Sequence, residues 1–299
     1  MINKLTPEVG EVDINILTIA DNGSKVVFEI KGSTHNRTYL SDLKGNISTI
    51  IANNDTAIEY ETSSIWTETS DGGSILSYFS HTKGELFKQA ALIVEIHGGP
   101  HSREKLSLEA FSQEFLASGY NVLRVNYRNS SGFGKKLLKP NMAGYQRQVV
   151  LDIIESLKST LAKKQLSPNK IIAFGGSFGG LLVTDIATSD DLHQKFSTFI
   201  SLNGLHDYCQ WSERPEIWSN GKWADCSNKA VKTYFSQRKI SHNKPFLIVY
   251  GTDDEIVLPK QSEELLSKFS NFKNVTGLKL QGEQHNVSLK HVAKMLSGL

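Results

Sequence analysis

Residues 170–187 read KIIAFGGSFGGLLVTDIA, an apolar run, a glycine-rich turn and a second apolar stretch with helical spacing. The run KIIAF (170–174) is typical of a strand buried on both faces, and LLVTDIA (181–187) predicts a helix. So sharp a turn from strand to helix needs glycines, because side chains at the flanking positions would clash with neighbouring backbone. We therefore expect Ser177, in the middle of the turn, to present its hydroxyl at the start of the helix, whose dipole favours negative charge.

The alternation of buried strand and helix continues on both sides of this turn. Further apolar runs predict strands at ALIVEI (91–96), NVLRVNY (121–127), FSTFISL (196–202), PFLIVYG (245–251) and VTGLKL (275–280). Apolar residues at helical spacing predict helices at 106–118, 145–164, 261–269 and 287–296. Buried strands that alternate with helices form a doubly wound, mostly parallel sheet, so the predicted class is α/β. In such sheets ligands bind at the carboxyl ends of the strands.

The first part of the chain has a different pattern. Turn clusters separate four short predicted strands, at 12–19, 25–31, 37–40 and 47–51. Four short strands in this order resemble one blade of a β-propeller. A hairpin with Asp71-Gly72 in its turn leads from this segment into the α/β part. We therefore predict a β-rich segment at 1–58 and an α/β domain at 59–299.

Composition excludes several classes of protein. The 299 residues include 33 Lys and Arg against 31 Asp and Glu, a formal net charge of +2. Without a basic tail or stripe, nucleic acid is not a favoured partner. No apolar run of roughly 18 residues predicts a membrane span, and the N-terminus lacks the apolar core of a signal peptide. Two cysteines, Cys209 and Cys226, cannot form a disulfide scaffold or a four-thiolate zinc site, so we expect unpaired thiols in a cytoplasmic protein.

Two later strand ends carry residues that could activate Ser177. G-x-S-x-G between a strand and a helix is the nucleophile motif of α/β-hydrolases, in which an acid and then a histidine follow along the chain. Thr252-Asp253-Asp254 follows PFLIVYG, and Gly282-Glu283-Gln284-His285 follows VTGLKL, in the required order. His285 is the predicted general base, with His291 as its main competitor, and either aspartate could orient it. The alternative is that the glycine-rich turn at 175–180 is structural or binds phosphate. A phosphate-binding loop would carry a lysine after its glycines, and none follows here.

The strand ALIVEI ends in His97-Gly98-Gly99-Pro100, where hydrolases of this fold place backbone N–H donors for an oxyanion. Glycines permit the close approach that such donors need, and the N–H of Phe178 would be the second donor. A plain turn is the alternative. No cofactor is expected, because the chain has no dinucleotide fingerprint, and no metal, because Pro100 disfavours a helix that would bring His97 and His101 together.

An aromatic group lies ahead of the strand PFLIVYG, in a region where α/β-hydrolases often insert a cap. Its members are Tyr208, Trp211, Trp218 and Trp223. They could line a substrate pocket or form a small separate core, and the sequence favours neither.

Several of these segments together resemble the catalytic domain of the prolyl oligopeptidase family. They are HGGP (97–100), VNYRNSSGFG (125–134), GGSFGG (175–180), YGTDDEIV (250–257) and GEQH (282–285). The resemblance extends over residues 60–299 and implies an α/β-hydrolase fold. It implies a nucleophile, acid and base at Ser177, Asp254 and His285, and oxyanion donors at the N–H groups of Gly99 and Phe178. Asp254 is assigned because the family's acid lies three residues before the valine that is Val257 here.

The resemblance also implies a function. Acylaminoacyl-peptidases and dipeptidyl-peptidase-like members are the most similar, so we expect a serine hydrolase that cleaves small peptides or acylated amino acids through an acyl-enzyme. An esterase, thioesterase or acyltransferase is the alternative enzyme, and a non-catalytic remnant is a third hypothesis. The sequence departs from the family at Asn129 and Asn286, where glycine is usual, and shows one blade where the family has a full propeller. Because a single blade has uncovered edges, we expect a homodimer or a partner chain to cover residues 10–55.

Overall fold

The computed structural model describes residues 13–20, 22–31, 36–42, 47–53, 60–107, 109–134, 137, 146–207, 209–210 and 236–297. The N-terminal part is a four-stranded antiparallel meander of β1 (Asp13–Ile19), β2 (Val26–Lys31), β3 (Asn36–Ser41) and β4 (Ile47–Asn53). Val26, Phe28, Ile30 and Tyr39 form its small apolar core. The predicted β-rich segment is confirmed, whereas its predicted boundary at residue 58 lies outside the described residues.

A second sheet has eight strands, which are β5 (Tyr60–Glu68), β6 (Ser74–Thr82), β7 (Leu92–Ile96), β8 (Asn121–Val125), β9 (Ile171–Gly176), β10 (Thr198–Leu202), β11 (Phe246–Gly251) and β12 (Val275–Leu280). Their order is β12-β11-β10-β9-β7-β8-β6-β5. The six strands from β12 to β8 are parallel, and the hairpin β5–β6 adds antiparallel strands at one edge. Every residue of β7, β8 and β10 is buried, including the polar Glu95, Asn121 and Arg124, as predicted for strands that are covered on both faces.

Helices cover both faces of this sheet. They are α1 (Ala110–Ala117), α2 (Gln146–Lys163), α3 (Phe178–Ala187), α4 (Pro259–Lys268) and α5 (Val292–Leu296). Apolar residues of α2, α3 and α4 belong to one core and those of α1 and α5 to the other. The predicted doubly wound α/β fold is therefore confirmed. No helix among the described residues is long and apolar enough to cross a membrane.

Three helix boundaries differ from the prediction by three residues or more, and the first is that of α1, which begins at Ala110 rather than at residue 106. Helix α3 begins at Phe178, directly after the serine and three residues before the predicted start, because close packing against the sheet holds its two glycines in helical conformation. The last helix is shorter than predicted, since Ser288 is extended and donates its N–H to Glu283 Oε2. A single 3-10 turn, Leu289–His291, then leads into α5.

The two cysteines were expected to be unpaired, and this expectation is wrong for Cys209, which is in a disulfide. The described residues include no free cysteine, and Cys226 lies outside them. A disulfide requires only that two Cβ atoms approach closely, which a count of cysteines does not reveal. Because disulfides persist in oxidising compartments, the prediction of a cytoplasmic location loses one of the observations on which it rested and stays a prediction.

Arg128, just after β8, connects three parts of the α/β domain. It donates from its main chain and Nε to Asp152 Oδ2 of α2, at 2.8 Å each, and from Nη2 to Asp152 Oδ1 at 2.6 Å. Its Nη1 donates to Asp71 Oδ2 in the β5–β6 turn at 2.7 Å. This bond holds the pKa of the Asp71 carboxyl well below its usual value. The side chain of Asp152 is fully buried, whereas that of Asp71 is 51% exposed.

These exposures predict unequal effects of removing each partner. Arg128→Met leaves the buried Asp152 without its cation and should lower the free energy of unfolding by about 3–5 kcal/mol. Asp71→Asn removes only the exposed partner and should cost less than about 1 kcal/mol. Urea unfolding followed by circular dichroism compares the two, and equal losses would contradict the anchoring role of the Arg128–Asp152 pair.

Candidate functional site

Ser177 lies between β9 and α3 with a strained backbone. Its φ is 55° and its ψ −118°, a conformation that costs energy in a residue with a Cβ. Two main-chain hydrogen bonds hold it there, from Ser177 N–H to Leu202 O (2.9 Å) and from Leu205 N–H to Ser177 O (3.0 Å). Strand β10 and the residues after it therefore fix the turn, as the glycine-rich motif predicted in outline.

Asp254 follows β11 and is oriented by backbone donors. It is 2% exposed, and its Oδ1 accepts hydrogen bonds from the N–H groups of Ile256 and Val257 at 2.9 Å each. Its Oδ2 lies 2.8 Å from Nδ1 of His285. The neighbouring Asp253 is exposed, and its Oδ1 accepts a bond from the Thr252 hydroxyl instead. Of the two candidate acids, the structure thus brings Asp254 to the histidine.

His285 follows β12 and lines one cavity of about 560 Å³ together with Ser177. Among the described residues, no hydrogen bond joins Ser177 Oγ to His285 Nε2. Such bonds are often long in enzymes without substrate and shorten when substrate binds. The competing base, His291, is directed elsewhere, since its Nε2 lies 3.0 Å from Oε1 of Glu283.

The loop after β7 lies against the serine. A Cβ at Gly98 would lie 3.2 Å from Ser177 Cβ, a tight contact, so a glycine at residue 98 favours this close approach of the backbone. Gly99 has a φ of +118° and, like Gly98, lines the cavity. Phe178, the other predicted donor, is the first residue of α3, and its side chain is fully buried.

A buried polar cluster that the sequence analysis missed positions this loop. His97 donates from Nδ1 to Gly98 O (2.7 Å), and its Nε2 lies 2.8 Å from Ser130 Oγ. The Tyr127 hydroxyl donates to His97 O at 2.9 Å, and the two rings stack. Burial lowers the pKa of His97 to about 4, so the ring is neutral. Because the C=O and N–H of one trans peptide point in opposite directions, the bond to Gly98 O turns the Gly99 N–H away from His97.

Asn203, just after β10, is a second residue that the sequence analysis missed. Its Nδ2 donates to the carbonyl oxygens of Gln284 (3.0 Å) and His285 (2.9 Å), and its Oδ1 accepts from Gly251 N–H at 2.8 Å. One side chain therefore connects the ends of β10 and β11 with the loop that carries the histidine. Its φ of 45° is one that asparagine tolerates better than most residues.

All four residues of the predicted aromatic group lie outside the described residues. They are Tyr208, Trp211, Trp218 and Trp223.

Asn129 has a φ of 78°, which explains why glycine is usual at this position. Its main-chain oxygen lies 3.1 Å from Nδ1 of His101.

Comparisons with known proteins agree with this geometry. A model of the prolyl oligopeptidase family matches residues 107–295, more than half of the chain. Dipeptidyl peptidase family member 6 of Caenorhabditis elegans is 25% identical over 189 residues, which are 59% of this chain and 25% of that protein. Acylamino-acid-releasing enzyme 1 of Oryza sativa subsp. japonica is 32% identical over 120 residues, 40% of this chain and 15% of that one.

Solved structures show the same fold. The acylaminoacyl peptidase of Pyrococcus horikoshii superposes with a TM-score of 0.78 at 18% identity, over 96% of this chain and 47% of that one. The chain therefore spans about half the length of that structure, and its match covers a quarter or less of the two curated relatives.

The role of Asn203 can be tested with a nearly isosteric variant. Asn203→Asp keeps the acceptor for Gly251 N–H but replaces the amide donor, so both bonds to the 284–285 carbonyls are lost. We expect a loss of about 1–3 kcal/mol in the free energy of unfolding and faster amide hydrogen exchange within residues 282–288. Exchange measured by mass spectrometry that is unchanged in this segment would show that Asn203 does not hold the histidine loop.

Proposed function

The chain belongs to the prolyl oligopeptidase family, and on that premise we propose that it is a serine hydrolase that cleaves peptide or acylated amino-acid bonds through an acyl-enzyme on Ser177. The observation that carries the proposal is His285, which lies 2.8 Å from buried Asp254 and lines the same cavity as Ser177, a serine held at φ 55°. A strained serine beside an oriented imidazole is the arrangement that acyl transfer requires.

In the proposed reaction Ser177 Oγ attacks the substrate carbonyl while Nε2 of His285 takes its proton. The same proton then passes to the leaving amine, and water repeats the sequence on the acyl-enzyme. Asp254 holds the Nδ1–H of the imidazole and stabilises the imidazolium that forms. The N–H groups of Ile256 and Val257 donate to Asp254 Oδ1 and fix the orientation of the carboxylate that this role needs.

The oxyanion of the tetrahedral intermediate would be bound by the N–H groups of Gly99 and Phe178. The position of Phe178 at the start of α3 supports this assignment, since a helix N-terminus favours negative charge. The anchoring of Gly98 O on His97 supports it as well, because it fixes the orientation of the next N–H.

The alternatives from the sequence make different predictions. An esterase, thioesterase or acyltransferase would use the same residues on an ester or thioester substrate. A non-catalytic remnant would have no reason to keep Asp254 directed at His285 while two backbone groups orient it. That retained geometry favours an enzyme.

Kinetics on matched substrates test the proposal. We expect the protein to hydrolyse aminoacyl or N-acyl-aminoacyl anilides through an acyl-enzyme on Ser177. Ser177→Ala should lower kcat by about four to six orders of magnitude without loss of fold. His285→Ala should have a similar effect, and the double variant should be little worse than either single one.

A panel of p-nitrophenyl esters provides the comparison. Hydrolysis of the esters with no turnover of any anilide would favour the esterase alternative. Anilide turnover that survives Ser177→Ala would overturn the assignment of the nucleophile.

We also propose that the chain forms a homodimer through the N-terminal meander. Strand β1 is an edge of its sheet, and the side chains of Ile16, Leu17 and Ile19 are 65%, 54% and 55% exposed. Apolar side chains on a strand edge favour pairing with a second copy.

Light scattering at micromolar concentration tests this proposal. The wild type should have the mass of a dimer, and the double change Ile16→Asp and Ile19→Asp should give a monomer. Leu86→Asp is the matched control, since Leu86 is exposed but lies outside the meander. A monomeric wild type would contradict the proposal.

A further inference from the structure

The cavity beside Ser177 has an acidic wall that none of the steps above uses. Glu95 of β7, Glu104, and Glu109 before α1 all line it. Glu95 accepts a hydrogen bond from the Ser112 hydroxyl at 2.5 Å, and Glu109 is exposed at the rim. Glu104 differs from both, because it is only 6% exposed and its carboxylate accepts no hydrogen bond from any residue that the structure describes.

The backbone around Glu104 is rigidly held. Asn126 accepts from Glu104 N–H (2.8 Å) and donates to Glu104 O (3.2 Å). Arg124, fully buried in β8, donates from Nη1 to the carbonyl oxygens of Lys105 (2.6 Å) and Ser107 (2.7 Å), and from Nη2 to that of Leu106 (3.1 Å). The position of the Glu104 side chain on the cavity wall is therefore set by two residues of β8 and its end.

Arg124 neutralises this wall only partly. Its Nη1 is 3.9 Å from Glu104 Oε2, too far for a hydrogen bond, and the protons on that nitrogen are already donated to main-chain oxygens. His97, in the same cavity, is neutral because burial lowers its pKa. The guanidinium of Arg103 lies against Gly132, and the His285 imidazole faces Asp254.

A nearly buried carboxylate without hydrogen-bond donors is unfavourable, and it becomes favourable when a ligand supplies both donors and positive charge. An ammonium carries three donors and a guanidinium five, and neither can accept a bond. Either group fits a wall formed by carboxylates.

We propose that the cavity binds a positively charged group of the substrate, an ammonium or a guanidinium, on the Glu104 carboxylate. Substrates with a basic side chain or a free amine near the bond to be cleaved are then preferred over neutral analogues. This inference rests on the proposed function, since it takes Ser177 to be the nucleophile in the same cavity.

The preference should depend on pH. Burial, followed by the charge of Glu95, raises the pKa of the Glu104 carboxyl, while Arg124 opposes the rise and Glu109 adds to it. At low pH the carboxyl is therefore protonated and attracts a cation weakly. As the pH rises the carboxylate forms, so selectivity for the cationic substrate increases.

Matched fluorogenic peptides test the proposal. At each position near the bond, lysine is compared with norleucine, and separately a free amino terminus is compared with an acetylated one, so that the two sources of charge are distinguished. We expect kcat/KM for one cationic member to exceed that of its neutral partner by at least about ten-fold. Glu104→Gln, which keeps shape and removes charge, should reduce this ratio to below about two-fold.

Glu114→Gln on the exposed face of α1 is the matched control and should leave the ratio as in the wild type. The wild-type ratio measured between about pH 6 and about pH 9 gives evidence that does not depend on a variant. For the lysine and norleucine pair it should rise with pH, because the lysine side chain stays charged over this range, whereas a free amino terminus loses its proton within it.

The outcomes separate the two proposals. If the neutral and cationic peptides are hydrolysed equally well at every pH and turnover depends on Ser177, the proposed cation site is wrong. The proposed hydrolase function would stand in that case. A preference that persists in Glu104→Gln would also overturn the cation site. If no member of either set is hydrolysed, the proposed function itself fails and this inference fails with it.

Discussion

Helix α3 lies so close to strand β7 that a methyl group at Gly179 would come within 1.9 Å of the carbonyl oxygen of Ile96. No side chain larger than hydrogen fits there, so the sequence of the turn and the position of the helix depend on each other. This approach places the first turn of α3 directly under the loop after β7. One backbone contact therefore brings together Ser177, the N–H at the start of α3 and the glycine loop after β7. Asp254 and His285 reach the same edge because β9, β11 and β12 are parallel and end on the same side of the sheet.

Polar groups at this edge fall into two kinds. Some are fully bonded and hold others in place, such as Asn203 beneath the histidine loop and Tyr127 behind the glycine loop. Asp254 belongs with them, since backbone donors and His285 occupy both of its oxygens. Glu104 is of the other kind, because its backbone is held in place and none of the residues that the structure describes donates to its carboxylate. A carboxylate that is held in position but accepts no hydrogen bond within the fold can bind a ligand that supplies the donor.

Sequence patterns predicted the parts of this structure that depend on local regularity. Mostly apolar runs identified the parallel strands of the sheet. The prediction of burial is confirmed for β7, β8 and β10, whereas β12, at the edge of the sheet, has one buried residue of six. Chain order placed Ser177, Asp254 and His285 at strand ends, and the structure brings the last two into contact.

Contacts between distant segments could not be predicted in this way. Asn203 followed by Gly204 has the pattern of an ordinary turn, and nothing local shows that its amide reaches residues 284–285. Glu104 likewise lies in a polar loop, and its backbone is held by Asn126, just after β8, and the next residue by Arg124 of β8. The disulfide at Cys209 also depends on proximity in three dimensions. Such features become visible only when the strands are placed side by side.

The central claim is that Ser177 is a nucleophile activated by His285 and Asp254. Its most direct test is reaction of the intact protein with a fluorophosphonate, followed by proteolysis and mass spectrometry to locate the adduct. The account predicts one adduct per chain on Ser177, formed much more slowly in His285→Ala because the proton acceptor is gone. An unmodified protein, or an adduct on another residue, would contradict it.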